Sequence, residues 1–195
     1  MAHPPAADDL GGRSISLAIP RDALVLLIGV AASGKSTFAA RHFLPTEVLS
    51  SDALRAMITD DSHAQGATDD AFDLLHRLLA MRLHRGRRTV VDATNVEGWA
   101  RAELLAVARR HRRPVVAIVL DLPLGIAMER NLARPKPRPP NAALRRQHRW
   151  LQDTLRELPD EGLAAIHHLR TPAEVEAVRI ETAPVDHRAS REHGR

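Results

Sequence analysis

The sequence has no cysteine and no tyrosine, and lysine occurs only twice in 195 residues, at positions 35 and 136. Without cysteine there is no disulfide framework, no thiolate zinc site, no iron–sulfur cluster and no thiol nucleophile. That usage fits a reducing compartment, so a cytoplasmic protein is expected. The missing thiols and phenols also explain an isoelectric point near 10.7 on a chain of net charge +4. Almost nothing titrates between histidine and arginine, so a small positive charge persists to high pH. The high value reflects absent buffering groups, not a strongly basic surface.

Long apolar runs are missing too. The stretches "ALVLLIGVAA" and "PVVAIVLDLP" are too short to span a bilayer. The opening "MAHPPAADDLGGRS" lacks the basic region and apolar run of a signal peptide. A soluble protein with no membrane partner is expected. The eleven histidines include no His-Glu-x-x-His arrangement, and none is assigned to a metal.

Hydrophobic residues make up 44% and charged residues 27%, enough apolar material for a buried core at one-domain length. The charge is unevenly placed: residues 1–100 carry net −2, residues 101–150 net +9 and residues 151–195 net −3. The middle block reads either as a solvated arginine-rich surface or as a site for phosphates. The cluster Arg109 to Arg113 is read as solvated surface.

Short apolar segments alternate with helical patterns. Strands are expected at residues 23–28, 47–50, 89–92, 114–122 and 165–169, with "VRIE" as a further edge. Helices are expected after the first strand, over "SDALRAMI", from a cap at Asp69 to about His84, over 97–111, from Leu124 to about Leu132, over "AALRRQHRWLQDTLREL", and briefly after Thr171 and Pro172. Such βαβ alternation gives an α/β fold with a mostly parallel sheet of about five strands, helices on both faces, and ligands bound beyond the strands' carboxyl ends. The expected boundaries are a flexible leader over 1–20, one domain over 21–182 and a polar tail over 183–195. One of the strand pair His167 and His168 is expected to face the core.

"GVAASGKS" matches the phosphate loop G-x-x-x-x-G-K-[ST], set between an apolar strand and a helix. Gly29, Val30, Ala31, Ala32, Ser33, Gly34, Lys35, Ser36 and Thr37 form the expected ATP cradle. Its backbone N–H groups and helix start face the anion, Lys35 reaches the β- and γ-phosphates, and Ser36 takes Mg2+. Asp52 follows the second strand with Arg55 one turn on. They read either as a base and anion-holder for an acceptor or as a helix cap and surface ion pair. Asp92 ends a hydrophobic strand, the usual place for a carboxylate that holds Mg2+ through water, and opens "DATN"; that turn reads either as site or as a plain helix entry. Arg130, Arg134 and Arg138 recur every four residues into the Pro-rich "ARPKPRPPN", which is compatible with a helical lid over the phosphates or with a solvated basic helix end.

Taken in order, "GVAASGKSTFAARHF", "EVLSSDALR", "TVVDATN", "VLDLPLGIAMERNLARP" and "RRQHRWLQ" resemble the 5′-hydroxyl polynucleotide kinases, most closely the N-terminal kinase module of bacterial kinase-phosphatase-ligase RNA repair enzymes. The resemblance covers about residues 22–180. It implies a P-loop kinase fold with ATP and Mg2+ as cofactors and a 5′-OH end of RNA or DNA as partner. It makes Lys35, Asp52, Arg55 and Arg130 catalytic: Asp52 as the base on the 5′-OH, Arg55 on the neighbouring phosphate, Arg130 as a lid arginine supported by Arg134. Asp92, Thr94 and Asn95 fall on the acceptor side. The lid departs from the family pattern, because Pro137 stands where a further arginine is expected, between Lys136 and Arg138. Phosphatase and ligase modules are expected on separate proteins. Two other readings stay open: a P-loop kinase of a small-molecule hydroxyl (sugar, nucleoside or antibiotic), and a nucleotide-binding module without catalysis.

Overall fold

The fold is described from a computed structural model, over residues 14–184. Five strands form a parallel sheet in the order β3-β4-β2-β5-β6: β2 (Leu24–Ile28), β3 (Val48–Ser50), β4 (Thr89–Asp92), β5 (Val115–Leu120) and β6 (Ala165–Leu169). Central strands β2 and β5 read "LVLLI" and "VVAIVL", and every residue in them is buried, as expected of strands covered on both faces.

Among the described residues, seven α-helices connect and cover the strands: α1 (Lys35–His42), α2 (Ser51–Thr59), α3 (Thr68–His84), α4 (Gly98–Arg110), α5 (Leu124–Ala133), α6 (Asn141–Glu157) and α7 (Pro172–Ala177). Alternation along β2 sends Leu24, Leu26 and Ile28 into one core layer and Val25 and Leu27 into the other. The first layer takes Leu75, Leu79 and Leu83 of α3, Leu104 and Leu105 of α4, and Leu144 and Leu151 of α6. The second takes Phe38 of α1 and the adjoining Phe43. The α/β P-loop architecture with helices on both faces is therefore present as expected.

The stretch expected as a leader does not run to residue 20. Residues 15–20 form strand β1 (Ile15–Pro20), whose "ISLAIP" alternation buries Leu17 and Ile19 against the second core layer. Its partner is β7 (Val178–Ala183), the "VRIE" strand, which pairs in parallel with β1 in a separate two-stranded sheet and does not extend the main one. Residues 1–13 of the expected leader and most of the expected tail lie outside the described residues.

Asp69 is not the cap of α3. That position falls to Ala67, and Asp69 and Asp70 sit in the first turn, where negative charge suits the helix dipole. Thr171 does cap α7, through a reciprocal box with Glu174. Arg113 is not solvated surface, because its guanidinium pairs with buried Asp22 at 2.6 Å and donates to Leu83 O at 2.9 Å. Both His167 and His168 are half-buried; burial pushes the His167 imidazole below its ordinary pKa, and His168 bonds Asp121 at 2.9 Å. Among the described residues, no helix is long and apolar enough to cross a membrane.

Candidate active site

All five strands run the same way, so their carboxyl ends open on one edge, and the register sets Leu27 of β2 beside both Asp92 and Ile118. The chain leaves β2 into Gly29, whose N–H donates to Thr94 O at 3.0 Å. Only glycine fits there, since a Cβ would lie 2.9 Å from both Leu120 O and Ser33 Oγ. The loop then turns through Ala32 at φ +63° and Gly34 at φ +104°, the residue before α1. Thr37 follows in the first turn of α1.

Lys35 folds back over this loop. Its Nζ donates to Gly29 O at 2.9 Å and Val30 O at 2.8 Å, and the side chain is buried. Burial pushes its ammonium down to about pKa 8. Asp92 opposes the shift, Arg134 adds to it, and Asp52 also opposes it. Charged groups from β4, α2 and the end of α5 thus lie near enough to act on the Lys35 ammonium. Burial raises the Asp92 carboxyl above its ordinary range, against the pull of the Ser36 hydroxyl and the Lys35 ammonium. A desolvated carboxylate beside a hydroxyl at the mouth of the loop is a donor set that fits a divalent cation. Ser33 Oγ is buried without a partner among the described residues. No cluster of three or more His, Cys or carboxylate side chains that could hold a metal occurs among them.

On the acceptor side, Ser50 Oγ caps α2 by accepting from Ala53 N at 3.4 Å, which leaves Asp52 free of that duty. Asp52 is exposed and pairs with the guanidinium of Arg55. Arg55 is largely buried, and its Nε donates to Ser62 O at 3.0 Å. Asn95 differs from expectation: its amide donates to Leu27 O at 2.8 Å and Val91 O at 3.3 Å and so braces β2 against β4. Buried and bound in this way, it is a strut of the sheet. Thr94 meets the phosphate loop through its backbone carbonyl.

Of the three arginines expected in a lid, Arg130 reaches the loop, donating from Nη1 to Ser33 O at 3.0 Å. Arg138 turns back to Leu132 O at 2.7 Å and Arg134 O at 3.2 Å, at the end of α5, where a cation suits the helix's free carbonyls. Two functional contacts were not legible in the sequence. Gln147 of α6 accepts the Ala31 N–H at 2.8 Å; the residue stands in "RRQHRWLQ", and nothing in that segment alone aims it at the loop. Arg101, fully buried, ties Asn95 O, Thr154, Glu157 and Glu161 together beneath the same edge.

An AAA domain family model matches residues 24–158. No curated protein matches the chain. Among solved structures, a chain of the Pnkp1/Rnl/Hen1 RNA repair complex is 23% identical with a TM-score of 0.61, over 72% of this chain and 47% of that one. AvrRxo1-ORF1:-ORF2 with ATP is 18% identical, TM-score 0.57, over 79% of this chain and 55% of that one. A gluconokinase from Sinorhizobium meliloti 1021 is 18% identical, TM-score 0.50, over 82% and 90%. The chain thus spans about half the length of the first two, and at these identities the likeness is one of fold.

Proposed function

The chain belongs to this AAA domain family and has a P-loop kinase fold, and from that premise we propose that it transfers the γ-phosphoryl group of ATP to the 5′-hydroxyl end of RNA or DNA. The observation that carries the reading is the Asp52–Arg55 pair at the carboxyl end of β3, close enough to the phosphate loop for the Asp52 charge to act on Lys35.

Each residue has a distinct task. The loop amides and Lys35 hold the β- and γ-phosphates, and Ser36 with Asp92 would hold Mg2+, which supplies charge neutralisation on the phosphates. Asp52 accepts the proton of the 5′-hydroxyl as that oxygen forms its bond to the γ-phosphorus and the bond to the β-phosphate oxygen breaks, releasing ADP. Arg55, released from Asp52, takes the phosphate that follows the terminal nucleoside. Arg130 and Arg134 neutralise charge on the transferring group. The product, a 5′-phosphate end, belongs to the substrate class that a nucleic-acid ligase consumes.

The test is transfer of labelled γ-phosphate from ATP, with Mg2+, to matched RNA and DNA oligonucleotides bearing 5′-OH or 5′-phosphate ends. Label should reach 5′-OH ends only, and Asp52→Asn should reduce transfer by at least ~100-fold while leaving ATP binding intact. Label that reaches a sugar or a free nucleoside and no oligonucleotide end would replace this reading with the small-molecule one.

A further inference from the structure

We propose that Gln147 is a positioning residue of the phosphate loop, holding the Val30–Ala31 peptide in the orientation that anchors Lys35. The inference rests on the reading of this loop as an ATP site and goes beyond it, since it assigns a task to a helix that touches neither phosphate nor acceptor in that reading.

The Val30–Ala31 peptide is gripped from both sides. Its carbonyl accepts from Lys35 Nζ at 2.8 Å and from the Ser33 N–H at 3.2 Å, and its own N–H donates to Gln147 Oε1 at 2.8 Å. In a planar trans peptide these two groups point in opposite directions, so any rotation of the plane breaks both bonds at once. The next residue, Ala32, is held at φ +63°, a conformation that a residue with a Cβ seldom adopts unless its surroundings impose it. Gln147 is well placed to impose it. It lies on α6 between Leu144 and Leu151, both fully buried in the core, so its backbone is fixed before the side chain makes any contact. Arg130 adds a second grip on the same loop at Ser33 O.

Removing the glutamine oxygen leaves the peptide held from its carbonyl side alone, by Lys35 and the Ser33 N–H, and so loosens one of the two carbonyl anchors of Lys35. Lys35 spans the β- and γ-phosphates, so the loss falls more heavily on a nucleotide that carries both. Losing one hydrogen bond of this kind is worth roughly tenfold in an equilibrium constant.

Gln147→Met keeps length and helix propensity and removes the acceptor. Two measurements on the full chain test the idea. Amide exchange of Ala31 in nucleotide-free protein should speed up about tenfold, with the β2 amides unchanged. Affinity for MgATP should fall about tenfold and for MgADP no more than about threefold, with the melting temperature within a few degrees of the parent's. Unchanged Ala31 exchange, equal losses for the two nucleotides, or a global loss of stability that accounts for both would overturn the proposal. A parent that binds ATP but labels no 5′-OH end overturns the acceptor assignment alone and leaves both Gln147 measurements valid. A parent that binds neither nucleotide overturns both.

Discussion

Nucleotide-free protein should become more stable as the pH rises from about 8 to about 10.5, and Lys35 should be the cause. In the fold its ammonium loses its proton near pH 8, because burial strips it of water; in the unfolded chain it keeps the proton to its ordinary value of 10.5. Between those values the unfolded chain binds the extra proton, so raising the pH favours the fold. At about 1.4 kcal/mol per pKa unit, the difference amounts to about 3 kcal/mol, or a rise of roughly 6–12 °C in melting temperature for a domain of this size. The composition makes this window unusually clean. There is no cysteine or tyrosine, and the only other lysine, Lys136, is exposed. Urea unfolding at half-unit pH steps would show the rise in the parent and a flat profile in Lys35→Met. A parent without the rise, or a Lys35→Met variant that keeps it, refutes the account of Lys35 as a desolvated cation awaiting phosphate.

Two further outcomes concern the struts beneath the site. Arg101→Ala strands the Glu157 and Glu161 carboxylates and leaves Asn95 O and Thr154 without their donor, so it should cost about 3–5 kcal/mol in urea unfolding; a loss under ~1 kcal/mol would mean that the buried cation is dispensable. Asn95→Ala should cost about 1–3 kcal/mol, since the carbonyls of Leu27 and Val91 lose a buried donor, and should speed amide exchange at Gly29; an unchanged Gly29 amide would separate Asn95 from the phosphate loop.

The parts of this molecule that could be read from the sequence are those written in neighbouring residues. β4, β6 and α7 fall where apolar runs and the Thr171–Pro172 start put them, and the phosphate loop is contiguous between a strand and a helix. β1 was hidden although "ISLAIP" alternates, because a Pro- and Ala-rich stretch precedes it and its partner comes from the far end of the described chain. Gln147, Arg101 and the bracing role of Asn95 were illegible for the same reason. Each acts on a backbone group or carboxylate from a distant segment, and no local periodicity reports such a meeting. Asp52 lies between these cases: its place after β3 was legible, but only the structure shows that Ser50 does the capping.

The pairing of β1 with β7 carries a consequence for how the domain assembles. Every other strand joins a neighbour in the five-stranded sheet, whereas this pair brings together the first and last strands of the described chain. Closing so long a loop is slow and costs entropy before any contact repays it, so the clasp is the natural last event of folding. On a ribosome it waits for residue 183 to emerge, while the five-stranded sheet and its phosphate loop need nothing beyond residue 169. The edge that carries the phosphate loop can therefore be complete while β1 and β7 are still apart.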